Sequence, residues 1–330
     1  MREAEIVLYR AIGRANVTVW TAERIVSLLP SATEICYALG LGDRVVGVTH
    51  ECDHPPAARL LPVLTSSTLP HAAGSRDVDR HVRASLHAGS SLYALDAAAL
   101  ERLAPDLIVT QELCAVCAVS YEIVARAAKR LRGDPRVVSL EPSSLEDVYA
   151  NIVTLGELTG ANTAATTLVG TMQARMAELS RRVTGRPPPR TLVLEWSDPP
   201  MGGGHWTPGL VVAAGGEPVL GNAGANSRVL DWSDIGATDP DVVIVAPCGY
   251  DLAAAERAAD ELAAHPQWRA LRAVRTGRAY ALDGNAYVNR PGPRLVDTAD
   301  LFASAMFDEP LTPGVNAPAL RRLIPARSRD

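Results

Sequence analysis

Two stretches of this chain read almost as copies of one another, and they lie on either side of a long helical run. Leu103–Cys114 (LAPDLIVTQELC) and Thr238–Cys248 (TDPDVVIVAPC) each place Pro-Asp before a short aliphatic run, then a loop carrying cysteine. Short aliphatic runs bounded by turn residues are buried strands, as in parallel sheets covered on both faces. The same rhythm surrounds each copy. Arg24–Leu29, Arg44–Thr49, Asp106–Thr110 and Arg136–Leu140 read as strands, with Leu95–Leu103 and Ser120–Arg132 as helices among them. In the second half Arg190–Glu195, Asp241–Ala246 and Arg278–Leu282 read as strands, with Pro208–Ala214 and Ala253–His265 helical. Such alternation predicts an α/β fold with mostly parallel sheets.

Helix signals fill in the rest. Ser31, with Glu34 three residues on, is expected to open the first helix as a capping box. Ser144 with Asp147 opens a pattern that stays helical to Val183, broken only locally at Gly160 and Asn162, and Gly185 with Pro187–Pro189 ends it. The expected architecture is two similar α/β lobes joined by one long rigid helix, with a ligand cleft between them. The expected boundaries are an N-terminal extension at 1–23, an N-terminal lobe at 24–143, a connecting helix at 144–186, a C-terminal lobe at 187–309 and a flexible tail at 310–330.

Composition removes several classes of function. Hydrophobic residues at 47% and charged ones at 21% suit a packed protein and exclude wholesale disorder. The net charge is −5, and Lys129 is the only lysine among 32 basic residues. The arginines are interspersed with acids, which argues against nucleic acid as a partner. No apolar run reaches the roughly 18 residues of a membrane span. Met1–Thr21 has charges within its apolar stretch and no small-residue cleavage site, so it reads as neither a secretory signal nor a lipoprotein anchor. The chain as it begins is therefore expected in the cytoplasm, or in the periplasm or outside the cell if the start codon is misassigned.

In parallel α/β sheets, ligands collect beyond the carboxyl ends of the strands. Pro30 and Ser31 follow the first strand, and His50-Glu51-Cys52-Asp53-His54 the second. Glu112, Cys114 and Cys117 follow Thr110. In the second lobe Glu195-Trp196 leads to Gly202–Gly204, His205 and Trp206; Cys248 and Tyr250 follow Ala246; Asn285, Tyr287 and Arg290 follow Leu282. If the lobes face each other, these edges line one cleft.

Each group admits more than one chemistry. Cys36 lies in an apolar run and reads as a core residue. Cys52, Cys114, Cys117 and Cys248 could hold zinc or an iron–sulfur cluster, Cys114 and Cys117 could form a redox pair, or all four could be inert pocket thiols. His50, His54 and His205 could offer an imidazole to a metal, or be solvent-facing or capping. The triple glycine lacks the lysine of a phosphate loop and reads as a loop shaped around a bulky ligand. Trp196, Trp206, Tyr250 and Tyr287 offer flat rings suited to a planar macrocycle, or else plug the lobe cores. Arg290 could pair with a carboxylate or phosphate, or be exposed. No Gly-x-Ser-x-Gly elbow is present, Ser31 has no base beside it, and Glu51, Glu112 and Glu195 are acids without a demanded reaction. Binding without catalysis is the expectation.

The opening RIVSLLPSATEICYALGLGDRVVGVTHECDHPP, the lobe repeat and the bridging helix resemble the class III substrate-binding proteins of ABC importers, vitamin B12 and siderophore type, over Arg24 to Ala305. The resemblance is greatest to the branch labelled cobalamin-binding. It implies two lobes on a rigid helix, a cobalamin or other corrinoid held between them, and an ABC importer as partner. The alternative from another class is a cytoplasmic metalloprotein or enzyme holding a metal on the four loop cysteines.

Overall fold

The computed structural model describes residues 20–67, 74–87, 92–111, 121–131, 133–310 and 312–323. The first lobe runs β1 (Ile25–Ser27), α1 (Pro30–Ala38), β2 (Val45–Gly47), β3 (Thr65–Ser67), α2 (Ser75–His87), β4 (Tyr93–Leu95), α3 (Ala97–Leu103), β5 (Leu107–Thr110), α4 (Tyr121–Ala128) and β6 (Arg136–Ser139). Two helices follow, α5 (Leu145–Thr159) and α6 (Asn162–Val183). The second lobe opens with β7 (Arg190–Ser197), β8 (Pro200–Gly202), β9 (Gly204–His205), α7 (Thr207–Ala213), β10 (Glu217–Pro218), β11 (Asn222–Ala223), β12 (Arg228–Val229) and α8 (Trp232–Thr238). It continues through β13 (Val242–Val245), α9 (Leu252–Ala263), α10 (Pro266–Ala270), α11 (Arg272–Arg275), β14 (Ala279–Leu282), α12 (Leu295–Phe307) and β15 (Leu320–Arg322).

The first lobe's sheet is wholly parallel in the order β2-β1-β5-β6, with Val26 opposite Ile108 and Val109 opposite Val138. A separate two-stranded antiparallel sheet pairs β3 with β4, which α2 separates in the chain. The second lobe builds its sheet on the parallel trio β7, β13 and β14, with β8, β12 and β15 antiparallel at the edges and β10 parallel beside β7. The matched aliphatic runs are β5 and β13, every residue of which is buried. Helices on both faces of each sheet require such strands.

The connector is two helices, not one. Gly160 takes φ +71°, the left-handed conformation that ends α5, and Ala161 N–H closes back on Gly156 O. α5 buries Val148, Ile152 and Leu155 on the first lobe's side. α6 is the long rod, about 33 Å at 1.5 Å per residue. It buries Ala165, Met172, Leu179 and Val183 along one stripe. Arg175 and Arg182, seven residues apart, reach the buried Asp300 of α12, and Arg175 also pairs with Asp297 at 2.7 Å. One apolar core therefore runs from Ile25 through α5 and α6 to Phe302. The tail is ordered where β15 pairs with Tyr280–Leu282, against the expected flexibility from 310 onward.

Candidate functional site

The loops beyond the strands meet at a junction between the lobes, and its buried centre is ionic. Pro30 occupies the first turn of α1 behind an extended Leu29, so the helix starts one residue before the expected cap. Ser31 is buried, and Gly292 lies against its backbone. Glu34, freed from any capping role, accepts from Arg294 Nε at 2.9 Å and meets Arg290 Nη1 at 3.3 Å. Arg290 also bonds Asp53 and donates Nη2 to the Glu51 carbonyl at 3.1 Å. Burial alone would raise the Asp53 carboxyl, but the guanidinium groups of Arg290, Arg294 and Arg59 outweigh it and hold the group below the ordinary aspartate range. Arg290 is thus committed to this chain's own acids.

Around that centre the rim carries aromatic side chains and a histidine. His50 Nδ1 lies 2.7 Å from Thr65 Oγ1, and its ring sits 5.6 Å from that of Tyr93. Burial lowers the His50 pKa, which keeps a neutral imidazole with one nitrogen lone pair. Burial raises the Glu51 carboxyl despite the nearby Arg290 charge. On the facing lobe the Trp196 and Tyr250 rings lie 5.3 Å apart and tilted by 59°. Asn285 N–H donates to the Tyr250 carbonyl at 3.0 Å, placing Asn285 beside them.

Other expected site residues turn inward. Trp206 is buried and donates Nε1–H to the Val288 carbonyl at 2.8 Å; Tyr287 is buried under the Arg294 guanidinium. Both plug the core. Glu195 accepts from Thr207 Oγ1, Ser227 Oγ and the Gly204 N–H, and burial raises its carboxyl above the usual range against those three donors. His205 holds a left-handed φ of +49°, meets Asn226 Oδ1 at 3.0 Å and stacks on Trp206. The triple glycine does not curve around a ligand. A Cβ at Gly202 would stand 2.3 Å from Leu220 O, and one at Gly204 would stand 2.4 Å from Ser227 N, so backbone packing within the lobe demands the glycines.

The cysteine metal site finds no support. Cys52 is buried toward the core, with Thr33 Oγ1 at 3.1 Å and Thr49 Oγ1 at 3.3 Å from its sulfur. Burial pushes its thiol up, away from the thiolate that zinc or an iron–sulfur cluster requires. Cys36 is pushed up to about 12. Cys248 lies on the other lobe beside Glu195, its N–H bonded to the Glu195 carbonyl. Cys114, Cys117 and Glu112 lie outside the described residues. Among the described residues no three of His, Cys, Asp and Glu gather around a common point that could hold a metal ion.

Sequence reasoning gave Asp53 no role and passed over Tyr93, Arg294 and all of α2. That helix reaches the second lobe through Ser75 and Arg76. Its signal was faint: Val78 and Val82 at helical spacing within an otherwise polar segment. A groove of about 710 Å³ lies elsewhere, lined by Arg186, Pro187–Pro189, Asp241 and Phe307 beside the starts of β7 and β13. It is at the opposite end of the strands from the loops described above.

A family model described as periplasmic binding protein matches residues 25–286. Over 300 residues, 87% of this chain and 81% of the other, the chain is 26% identical to an uncharacterized ABC transporter substrate-binding lipoprotein, YvrC, of Bacillus subtilis. A vitamin B12-binding protein of Vibrio cholerae is 62% identical over 37 residues, 11% of this chain and 13% of that one. A solved periplasmic heme-binding protein from Pseudomonas aeruginosa superposes with TM-score 0.68 at 22% identity, covering 91% of this chain and 98% of that one. The cytoplasmic expectation is overturned by two of these relatives, one a lipoprotein and one a periplasmic protein. Among the described residues no helix is long and apolar enough to cross a membrane. The reach of the family model across both lobes, and the two-lobed fold on its helical rod, agree: the chain belongs to the periplasmic binding protein family.

Proposed function

We propose that this chain is the substrate-binding protein of an ABC importer and that it captures a corrinoid between its lobes. The observation that carries the ligand class is the state of the arginines. Arg290 and Arg294, at the centre of the junction, are paired with Glu34 and Asp53. A haem presents two carboxylates, and holding them would mean displacing this chain's own acids from their guanidinium partners. A corrin is ringed by neutral amides, which suit the neutral hydrogen-bonding groups and aromatic faces of the rim: His50, Trp196, Tyr250 and Asn285. The vitamin B12-binding proteins of Vibrio cholerae and Vibrio vulnificus, 62% and 54% identical to this chain over 37 and 39 residues, support the same reading. In this reading Trp196 and Tyr250 pack on the macrocycle, while the buried ionic centre sets the distance between the lobes.

Calorimetric titration with cyanocobalamin, dicyanocobinamide and hemin tests it. The expected result is saturable binding of both corrinoids at one per chain, with no competition from hemin. Saturable hemin binding without corrinoid binding would overturn the ligand class and leave a binding protein for a different cargo.

A further inference from the structure

Among the described residues, two contacts between the lobes have opposite character. At one, Arg290 and Glu34 are 4% and 2% exposed, and Arg294 and Asp53 complete the network. At the other, the start of α2 reaches across to the second lobe. Ser197 Oγ donates to Ser75 Oγ at 2.6 Å, Ser75 donates to Tyr250 Oη at 3.4 Å, and Arg76 pairs with Asp198 at 2.8 Å. A Cβ on Gly74 would stand 3.0 Å from Glu261 Oε1, so the two lobes are in close approach there as well.

These two contacts differ in what parting them requires. Separating Arg290 and Arg294 from Glu34 strands buried charges whose partners come from the opposite lobe. Separating Ser75 from Ser197 exchanges neutral hydroxyl bonds for bonds to water, at small net cost. The Arg76–Asp198 pair, with Arg76 77% exposed, is screened by solvent and holds weakly. Rim residues adjoin both contacts: Arg290 donates to the carbonyl of Glu51, next to His50, and Ser75 donates to Tyr250, whose carbonyl accepts from Asn285.

We propose that the cleft opens along the Ser75–Ser197 seam and pivots on Arg290, so that cargo enters and leaves past the first turn of α2. This rests on the reading of the cleft as the ligand site. It makes α2 the gate and the ionic centre the hinge, a division of labour in which only one side of the lobe junction moves.

A disulfide across the seam tests the gate. In Ser75→Cys/Ser197→Cys the two sulfurs would replace oxygens 2.6 Å apart, within reach of a bond. The reduced variant, which lacks the seam's hydroxyl bonds, is expected to bind cyanocobalamin at least as fast as wild type, as measured by stopped-flow absorbance. The oxidised variant is expected to associate at least tenfold more slowly, with recovery on reduction, while oxidised wild type is unchanged. Unslowed association in a variant shown to be bridged would overturn the gate. Hydrogen exchange on the unmodified, ligand-free protein gives a second readout. Peptides covering 75–85 and 196–200 are expected to exchange faster than those covering 49–54 and 288–294. Equal protection, or faster exchange at Arg290, would overturn the pivot whatever the cargo. The predicted asymmetry without cyanocobalamin binding would leave the gate standing and refute the corrinoid.

Discussion

Arg290 and Glu34 are 256 positions apart in the chain, yet Arg290 Nη1 stands 3.3 Å from Glu34 Oε1 and both side chains are almost sealed from solvent. One comes from the first helix of the first lobe, the other from the segment after the last parallel strand of the second. The pair is therefore a cross-lobe bond that neither lobe could satisfy alone. Breaking a buried pair by removing one partner strands the other charge, at a cost of about 3–5 kcal/mol. Arg290→Met is expected to destabilise the protein by that amount in urea unfolding. Arg290→Lys keeps the charge but loses the forked donors that reach Glu34, Asp53 and the Glu51 carbonyl together, so it should recover only part of the loss.

Asp53 makes the same centre sensitive to acid. Its carboxyl titrates at about 3.8 when unperturbed, and in the folded protein Arg290 holds it lower, against the upward push of burial. A group depressed in the folded state contributes stability that is fully present above its unfolded value and is lost as pH falls through the folded value. The urea midpoint of the native protein should therefore fall more steeply below about pH 4 than that of Asp53→Asn. The two curves should run parallel above pH 5. Parallel curves throughout would show that Asp53 gains nothing from Arg290.

Gly156 governs how α5 meets α6. A Cβ there would lie 2.5 Å from the Ala165 Cβ, closer than carbon atoms approach without the helices separating. Alanine is the better helix former by roughly 0.5–1 kcal/mol, but overpacking costs about 1–3 kcal/mol, so Gly156→Ala should lose stability on balance. At exposed Gly170 of α6, where nothing lies within 4 Å of a Cβ, the same change should stabilise. Thermal unfolding of the two variants separates the effects.

Much of the frame was legible because it rests on local pattern. The duplicated aliphatic runs of β5 and β13 are buried strands, and Ser144 does cap α5, its hydroxyl accepting the Asp147 N–H at 3.1 Å. The site was less legible because it is made of contacts distant in sequence. Glu34 sits at the spacing of a capping-box acid, and only the fold reveals that Pro30 takes over the first turn and leaves Glu34 to Arg290 and Arg294. Cys52 and Trp206 follow strands as ligand residues do, yet each turns into the core, since a loop's position does not fix the direction of its side chains. The glycines of 202–204 answer to the Leu220 and Ser227 backbones, which sequence cannot bring alongside them.

Glu195 offers a titration of the opposite sign. Burial raises its carboxyl above the ordinary value of 4.5, although Ser227, Thr207 and the Gly204 N–H all favour the ionised form. A carboxyl raised in the folded state costs stability as pH climbs from the unfolded value through the folded one. Glu195→Gln removes that cost while keeping one acceptor oxygen for the two hydroxyls. Its stability relative to the native protein should therefore increase as pH climbs from 4.5 towards the folded value, and level off beyond it. A constant difference across that window would mean that Glu195 ionises without penalty.

Trp196, near the end of β7, and Trp206, just after β9, give the sharpest separation of binding from folding. Trp196 is partly exposed at the rim and leans on Tyr250, whereas Trp206 is buried with its indole N–H on the Val288 carbonyl. Truncating a buried tryptophan leaves a cavity and an unpaired carbonyl, so Trp206→Ala should cost about 3–5 kcal/mol of stability. The fraction that remains folded should bind cyanocobalamin with little change. Trp196→Ala removes an aromatic face from the rim and should lower the melting temperature only slightly. Its cyanocobalamin affinity should fall about tenfold, equivalent to about 1.4 kcal/mol of lost ring contact. If instead both variants lost stability alike and neither changed affinity, the macrocycle would have to rest on other residues than the Trp196–Tyr250 pair.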